Sequence, residues 1–304
     1  MRARSIAAAA VACLLVAGVA SAASGRKGPK VVATIAVGGE PVGIASGAGS
    51  LWVANFGGGD VARVNPRRNR VTSRIAVVSP YGIAYGAGSV WVTSVDGEVV
   101  TRIDPASNTV VARIPVGFQQ AGLTVVGNDV WVAAFGAHQL VRIDAATNTV
   151  TARIPVHGSA EDAIAAAGSI WVPTEDAVVE RIDPATNSVT ATVHVGPDPD
   201  AVVFCRGRVW ASSLYGARLY AIDPARNAVT TKIRVGLGSE GMACAGRTLW
   251  VADYGTGDLL KVDLNRRKVI RRIGVGIQPR EVLLSNGSVW VTNQTSGTLS
   301  RVRP

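Results

Sequence analysis

Tryptophan recurs at a fixed interval along this chain. The seven tryptophans lie at positions 52, 91, 131, 171, 210, 250 and 290, so each follows the previous one by 39 or 40 residues. Each lies in a short apolar run such as SLWVAN or SVWVTN, and no tryptophan falls outside the series. A regular period of this length predicts a repeat architecture in which every unit has the same supersecondary structure.

The unit that contains Trp52 divides into four short strands. They read VGIAS, LWVAN, VARVN and RVTSRIAV, and Gly-rich or Asn-containing turns separate them. Runs of Val and Ile broken by turn residues indicate strands rather than helices. The last turn recurs as DPASN, DPATN and DPARN, where Asp opens the turn, Pro sets φ and Asn tolerates the left-handed conformation. We therefore assign Asp104, Asp183 and Asp223 to turns rather than to catalysis.

Four antiparallel strands per period and seven periods predict an all-β fold, a seven-bladed β-propeller. The last unit ends at TLSRVRP without a fourth strand, whereas VVATIAV near the N-terminus matches the fourth strands of the other units. We expect this N-terminal strand to complete the C-terminal blade and close the ring. Residues 30–304 then form a single propeller domain, with each tryptophan packed between adjacent blades.

Residues 1–22 are typical of a secretory signal peptide, with MRAR, an apolar run and the small-residue site Ala20-Ser21-Ala22. An uncleaved N-terminal anchor is the alternative. Cleavage leaves a short linker over residues 23–29 and no later segment apolar enough to cross a membrane. We therefore expect a monomeric protein that is secreted, or that resides in the periplasm or cell envelope.

The chain is basic. Removing Arg2 and Arg4 with the signal peptide leaves 29 of the 31 basic residues against 21 acidic ones, a net charge of +8. Basic side chains recur in two rows: on the third strands Arg63, Arg102, Arg142, Arg181, Lys261 and Arg301, and on the fourth strands Arg74, Arg113, Arg153, Lys232 and Arg272. Either they keep the outer strands solvated, or they form a rim that binds nucleic acid or an anionic envelope glycan.

Two cysteines remain after cleavage. Cys205 lies five residues before Trp210 and Cys244 six residues before Trp250, near the ends of the first strands of adjacent units. Alternate strand residues point to opposite faces, so this difference in parity lets the two side chains meet across a blade interface. We predict a disulfide, with two buried free thiols as the alternative.

Candidate site residues occupy two register positions. Ten residues before each tryptophan, where the innermost strand begins at the channel, lie Val42, Tyr81, Ala121, Glu161, Asp200, Glu240 and Arg280. Three residues after each tryptophan lie Asn55, Ser94, Ala134, Thr174, Ser213, Asp253 and Asn293. Propeller topology brings both positions to one face, here called the top face. Our ligand-site candidates are Tyr81, Glu161, Asp200, Glu240, Arg280, Asp253, Asn55 and Asn293.

Three consecutive blades place carboxylates at the channel entry. Glu161, Asp200 and Glu240 are candidate ligands for a hard cation, Ca²⁺ or Mg²⁺, or for a cationic molecule. Asp162 and Glu281 follow one residue further on. Solvated loop charges are the alternative interpretation.

The pattern I-x-V-G-x-x-P-x-G-I-A-x-G-x-G-S-L-W-V-A-N, followed by V-x-R-I-D-P-x-x-N-x-V, resembles the YVTN-type propeller repeats of exported bacterial and archaeal proteins. It is also similar to the repeat of the streptogramin B (virginiamycin B) lyases. The first resemblance, over residues 30–304, implies an exported propeller from a group whose members mostly lack an assigned reaction, and we interpret it as a scaffold that binds a ligand or a protein partner. The second implies a lyase that uses Mg²⁺ with histidine and glutamate near the channel.

The histidines bear on the lyase hypothesis. His138, His157 and His194 are the chain's three histidines, and none occupies a channel-entry position. A lyase or hydrolase site would require His157, Glu161 and Glu175 to converge on a metal ion. G-x-S-x-G, P-loop and H-E-x-x-H motifs are absent from the sequence. We therefore favour the binding scaffold and retain the metal-dependent lyase or hydrolase as the alternative.

Overall fold

The computed structural model describes residues 28–304, so the predicted signal peptide and most of the linker lie outside the described residues. The described chain forms seven four-stranded antiparallel sheets, each of which is one blade. The innermost strands of neighbouring blades contact one another around a complete ring. The predicted seven-bladed propeller is therefore confirmed. Within this part of the chain, no helix has the length and apolar character needed to span a membrane.

Each blade contributes one strand to each of four concentric positions. The innermost strands are β2 (Pro41–Gly47), β6 (Pro80–Gly86), β10 (Gln120–Val126), β14 (Ile164–Ala166), β18 (Val202–Cys205), β22 (Ser239–Ala245) and β26 (Pro279–Ser285). The second strands, which carry the tryptophans, are β3 (Ser50–Asn55), β7 (Ser89–Ser94), β11 (Asp129–Ala134), β15 (Ser169–Thr174), β19 (Arg208–Ala211), β23 (Thr248–Asp253) and β27 (Ser288–Asn293).

The outer half of each blade completes the sheet. The third strands are β4 (Asp60–Asn65), β8 (Val99–Asp104), β12 (Gln139–Asp144), β16 (Val178–Asp183), β20 (Arg218–Asp223), β24 (Asp258–Asp263) and β28 (Thr298–Arg303). The fourth strands are β5 (Arg70–Ala76), β9 (Thr109–Pro115), β13 (Thr149–Pro155), β17 (Ser188–His194), β21 (Ala228–Arg234), β25 (Lys268–Gly274) and, in the seventh blade, β1 (Lys30–Ala36). A short 3₁₀ turn, Phe135–Ala137, joins β11 to β12.

The two ends of the chain pair with each other. Strand β1 runs antiparallel to β28, with Lys30 opposite Arg303 and Ala36 opposite Thr298. This pairing completes the seventh blade as predicted from the sequence. It also satisfies two strand edges that an open ring would leave exposed.

The hydrophobic core consists of seven layers, one between each pair of adjacent blades. Every layer contains one tryptophan, and no tryptophan is more than 5% exposed. At about 25 cal/mol per Å², burying about 200 Å² of indole contributes about 5 kcal/mol at each interface. The interpretation of the repeated tryptophan as a packing residue is therefore confirmed.

At most blade interfaces, an arginine on the third strand joins the tryptophan of its own blade to the next blade. The guanidinium carbon of Arg142 lies 4.9 Å from the ring centroid of Trp131. Its Nη1 donates to the Pro184 carbonyl at 2.9 Å and to Asn187 Oδ1 at 3.0 Å, both in the outer turn of the following blade. We call this contact the arginine clamp. It combines a cation–π contact with hydrogen bonds that link two separate sheets.

Five of the seven interfaces contain this clamp. The clamping residues are Arg63, Arg102, Arg142, Arg181 and Arg301. These five guanidinium groups are engaged between blades, so the hypothesis that they form a rim of free positive charge is wrong for them. The asparagine that accepts the bond has positive φ, as predicted for the turn, with 58° at Asn148 and 52° at Asn187.

The interface between the fifth and sixth blades lacks both partners of the clamp. Ala221 pairs with Trp210 where the other blades have a basic residue, and Arg267 replaces the accepting asparagine of the next turn. A disulfide joins the same two blades, Cys205 on β18 to Cys244 on β22, with 5.7 Å between the α-carbons. The predicted disulfide is confirmed, and it provides a covalent link at the interface that has no arginine clamp.

The interface between the sixth and seventh blades has the cation without a turn to bind. Lys261 Nζ lies 5.0 Å from the ring centroid of Trp250. In the seventh blade, however, the fourth strand is β1 from the other end of the chain, so no turn connects the third strand to the fourth. The outer part of this interface therefore has an apolar layer but no arginine clamp.

We predict that Arg142→Ala lowers the free energy of unfolding by about 2–3 kcal/mol, because it removes a stacking contact and inter-blade hydrogen bonds. Lys261→Ala is the matched control, and we expect it to cost less than about 1 kcal/mol because Lys261 has no turn to bind. Urea unfolding followed by tryptophan fluorescence measures both. Equal losses in the two variants would contradict the clamp.

Candidate ligand site at the channel mouth

Two sets of loops meet at the top face. They are the crossovers from the fourth strand of one blade to the first strand of the next, and the loops between second and third strands. Where the crossovers end, a cavity of about 60 Å³ lies on the ring axis. Its lining includes all five channel-entry candidates named from the sequence, Tyr81, Glu161, Asp200, Glu240 and Arg280. We call this cavity the channel mouth.

Arg280 crosses the channel mouth. Its Nη1 donates to Glu240 Oε1 at 2.9 Å, and its Nη2 donates to the hydroxyl of Tyr81 in the second blade. Its guanidinium carbon lies 5.7 Å from the ring centroids of Tyr81 and Tyr254. The Glu240 side chain is 4% exposed, so this ion pair has little contact with water.

A second tier of carboxylates lies beside the first. Asp162 of the fourth blade and Glu281 of the seventh blade also line the cavity. Asp162 accepts backbone N–H groups from Ala163 at 2.8 Å and from Val202 at 3.3 Å. The sequence placed both residues next to the entry position, but it did not reveal that their side chains also reach the axis.

Glycines in neighbouring blades make room for these two side chains. A β-carbon at Gly122 would collide with the Asp162 carboxylate, and one at Gly241 would collide with that of Glu281. Glycine at positions 122 and 241 therefore leaves space at the ring axis for the carboxylates of Asp162 and Glu281.

The channel mouth holds five carboxyl groups and one guanidinium, so most of the acids lack a counter-charge. Burial, followed by repulsion from Asp200 and Glu175, raises the pKa of Glu161 to about 9. Burial, followed by the charge of Asp162, raises the pKa of Glu281 to about 8, and burial raises that of Asp162 to about 6. Burial also raises the pKa of both Asp200 and Glu240; the charge of Asp200 raises the pKa of Glu240 further, whereas a hydrogen bond with Glu240 lowers that of Asp200. Several of these groups therefore retain protons near neutral pH.

A more exposed acidic group lies at the outer edge of the mouth. Oxygens of Glu161, Glu175 and Asp198 lie within 4.8 Å of one another. Carboxylate oxygens at this separation suit a hard cation such as Ca²⁺ or Mg²⁺. Asp198 was not a candidate from the sequence, since it belongs to the crossover loop and not to either register position.

The candidates at the ends of the second strands lie elsewhere. Asn55 Nδ2 donates to the Val37 carbonyl at 2.9 Å, and Asp253 binds Arg272 Nη1 at 3.0 Å. Asn293 Nδ2 donates to Ser300 Oγ at 3.0 Å. All three side chains are buried, and none is among the residues that line the channel mouth. Asn55 holds a crossover and the other two make contacts between strands, so we do not extend the candidate ligand site to them.

The histidine arrangement differs from the one that the lyase hypothesis requires. His157 Nδ1 is hydrogen-bonded to the carboxylate of Glu180, a contact that raises the pKa of His157. Glu180 lies on the third strand, β16, and its side chain is fully buried. The bond therefore holds the His157 ring against this strand. Glu161 and Glu175 converge with Asp198 instead. Within the described chain, no histidine lines the channel mouth.

Comparisons with known proteins support the fold. No protein-family model matches the chain, and no curated protein sequence matches it. Among solved structures, it is similar to a chain of Kuenenia stuttgartiensis hydrazine synthase, with a TM-score of 0.80 and 17% identity over 87% of this chain and 96% of that one. It is also similar to virginiamycin B lyase from Staphylococcus aureus, with a TM-score of 0.79 and 13% identity over 91% of this chain and 100% of that one. At these identities, the likeness extends to the propeller fold.

We predict that Arg280→Met destabilises the protein more at pH 8 than at pH 5. Without the guanidinium, Glu240 and Asp200 stay protonated in the folded state to a higher pH, while the unfolded chain ionises them above about pH 4. Breaking a buried ion pair costs about 3–5 kcal/mol, and we expect a loss near that size at pH 8.

Urea unfolding at the two pH values measures the difference. Arg67→Met, in an exposed outer turn, is the matched control. A loss that does not change with pH would show that Arg280 acts through packing and not through charge.

Proposed function

We propose that this protein is an exported propeller of the YVTN type that serves as a binding scaffold and holds a positively charged ligand or partner group at the channel mouth. The observation that carries this proposal is the set of five carboxyl groups around the channel mouth with Arg280 as their one cation. Because those acids repel one another, a cation that binds among them reduces the repulsion, and this favours binding over remaining in water.

The size of the channel mouth restricts what enters it. Small-molecule pockets usually enclose about 300–1,000 Å³, whereas this cavity has about 60 Å³. A metal ion with some of its waters fits such a space, and so does the end of a lysine or arginine side chain. The remainder of a larger ligand would lie over the top face.

Two observations support export. The first 22 residues have the composition of a secretory signal peptide. The Cys205–Cys244 disulfide is of the kind that persists in oxidising compartments.

A metal-dependent lyase or hydrolase is the alternative. The three carboxylates Glu161, Glu175 and Asp198 fit a hard cation by their chemistry. They do not match the histidine and glutamate set that the lyase resemblance implies, because His157 is bonded to Glu180. Bound Mg²⁺ would act there as a Lewis acid towards an oxygen of the substrate.

We predict that cation affinity rises with pH. A bound cation requires ionised carboxylates, and Asp162, Glu281 and Glu161 have pKa values of about 6, 8 and 9. Binding therefore releases protons, and each proton displaced changes the affinity by about tenfold per pH unit. Calorimetric titration of the full mature chain with Ca²⁺, and separately with n-butylammonium, from pH 6 to pH 9 measures this dependence.

The combined variant Glu161→Gln, Asp200→Asn and Glu240→Gln keeps side-chain shape and removes three of the five carboxyl groups at the channel mouth. We expect it to bind either cation at least tenfold more weakly, with a smaller pH dependence that comes from the remaining Asp162 and Glu281. If the wild-type protein binds neither cation at pH 9, the proposed function fails. Mg²⁺-dependent cleavage of a cyclic depsipeptide lactone, abolished by Glu175→Gln, would instead support the lyase.

A second candidate function is favoured by the opposite, bottom face. The thirteen described loops on that face contain seven arginines: Arg67, Arg68, Arg206, Arg226, Arg247, Arg266 and Arg267. Aspartates at the ends of the third strands open five of these turns, and two of them, Asp223 and Asp263, pair with Arg226 and Arg266. Such a surface suits an anionic envelope glycan or a nucleic acid.

We predict that replacing Arg67, Arg68, Arg266 and Arg267 together with serine lowers the salt concentration needed to elute the protein from heparin. Each contact with a sulfate or phosphate group that is lost reduces the slope of log affinity against log salt concentration by about one unit. Replacing the clamped Arg63 and Arg102 is unsuitable as a control because it opens blade interfaces, so Arg234→Ser on a fourth strand is used. An unchanged elution would remove this candidate.

A further inference from the structure

Exposed apolar side chains surround the channel mouth. Among residues 28–304, six large apolar side chains are more than half exposed, and five of them lie in loops of the top face. We call these five the apolar collar: Val78 at 66%, Phe118 at 52%, Tyr215 at 68%, Leu237 at 62% and Ile277 at 60% exposed. The sixth, Val111 at 54%, lies on the outer strand β9.

The fold does not require the apolar collar. Four of its members occupy the same repeat position, three residues before the channel-entry residue, where the first and fourth blades carry Gly39 and Gly158. Since a blade forms with glycine at this position, the larger side chains are not needed to build it. Several large apolar side chains exposed on one face of a folded protein are typical of an interaction site.

Grooves adjoin the collar on two sides. Val78 and Phe56 line a groove of about 600 Å³ between the first and second blades. Ile277 and Tyr254 line another of about 450 Å³ between the sixth and seventh blades. These grooves are large enough to receive apolar side chains, whereas the channel mouth on the ring axis is small and acidic.

The negative charge of the top face restricts the kind of partner that can bind there. Its fourteen described loops contain no lysine or arginine and nine acidic residues: Glu40, Asp96, Glu98, Glu161, Asp162, Glu175, Asp176, Asp198 and Asp200. The mature chain as a whole is basic. A complementary partner is therefore cationic as well as apolar, and an anionic membrane surface would be repelled.

We propose that the top face docks an extended polypeptide segment that inserts a lysine or arginine side chain into the channel mouth and places flanking apolar side chains on the apolar collar and in its grooves. This inference rests on the proposed function, because it identifies the cationic group as part of a peptide. A polypeptide suits this arrangement of one acidic cavity and several separate apolar side chains, because one chain can supply a single positive charge and several apolar groups.

The test selects from a displayed library of random dodecapeptides against the full mature chain. We expect enriched peptides to carry a lysine or arginine next to aromatic or aliphatic residues. Leu237→Ser combined with Ile277→Ser should weaken a selected peptide at least tenfold in calorimetric titration. Val111→Ser, equally exposed but on the outer rim, is the matched control and should leave the affinity unchanged. In the peptide, replacing the basic residue with norleucine should also weaken binding at least tenfold.

Several results would overturn the inference. They are selection of peptides without a basic residue, equal binding by the collar variant, and collar-dependent self-association in sedimentation, which would show a second copy of this chain as the occupant. Binding to anionic vesicles that is lost in the collar variant would also overturn the inference, because it would show a membrane surface as the occupant. The collar variant should still bind n-butylammonium, so loss of peptide binding alone separates this inference from failure of the channel-mouth site.

Discussion

At five of the seven blade interfaces, an arginine contacts the tryptophan of its own blade and the turn of the next blade, and this contact orients the two blades. The tryptophan alone supplies apolar area, which does not specify how two sheets are oriented. The guanidinium adds direction, because its Nη1 donates to a carbonyl oxygen and to an asparagine Oδ1 whose positions are set by the conformation of the neighbouring turn. The positive φ of that asparagine is therefore part of the interface and not only of the turn.

Because blade packing is fixed by side chains in strands and bottom turns, the top loops are free to differ. The same repeat position carries glycine in the first blade, valine in the second and phenylalanine in the third. Charge follows the same division, with arginines in the bottom loops and carboxylates in the top loops. The channel mouth and the apolar collar together form one asymmetric surface on a nearly symmetric support.

The fold was predictable from the sequence because each unit repeats the same strand, turn and tryptophan pattern seven times. The channel-entry residues, such as Glu161 and Glu240, were predictable for the same reason, since one register position faces the axis in every blade. Asn55 and Asn293 were assigned to the correct end of the strand, but alternation turns their side chains into the blade rather than towards the axis. The arginine clamp was not foreseen, because its two halves belong to different repeats and the sequence shows only that each recurs.

Ring closure also links two strands that are far apart along the chain. The partner of β1 is β28, and the other six blades lie between them in the sequence. Until this pairing forms, β1 and β28 each present an unpaired strand edge. The interface next to the closing blade is also one of the two that lack the arginine clamp. An open ring is thus exposed to edge-to-edge association through β1 and β28 even when its other six blades are complete.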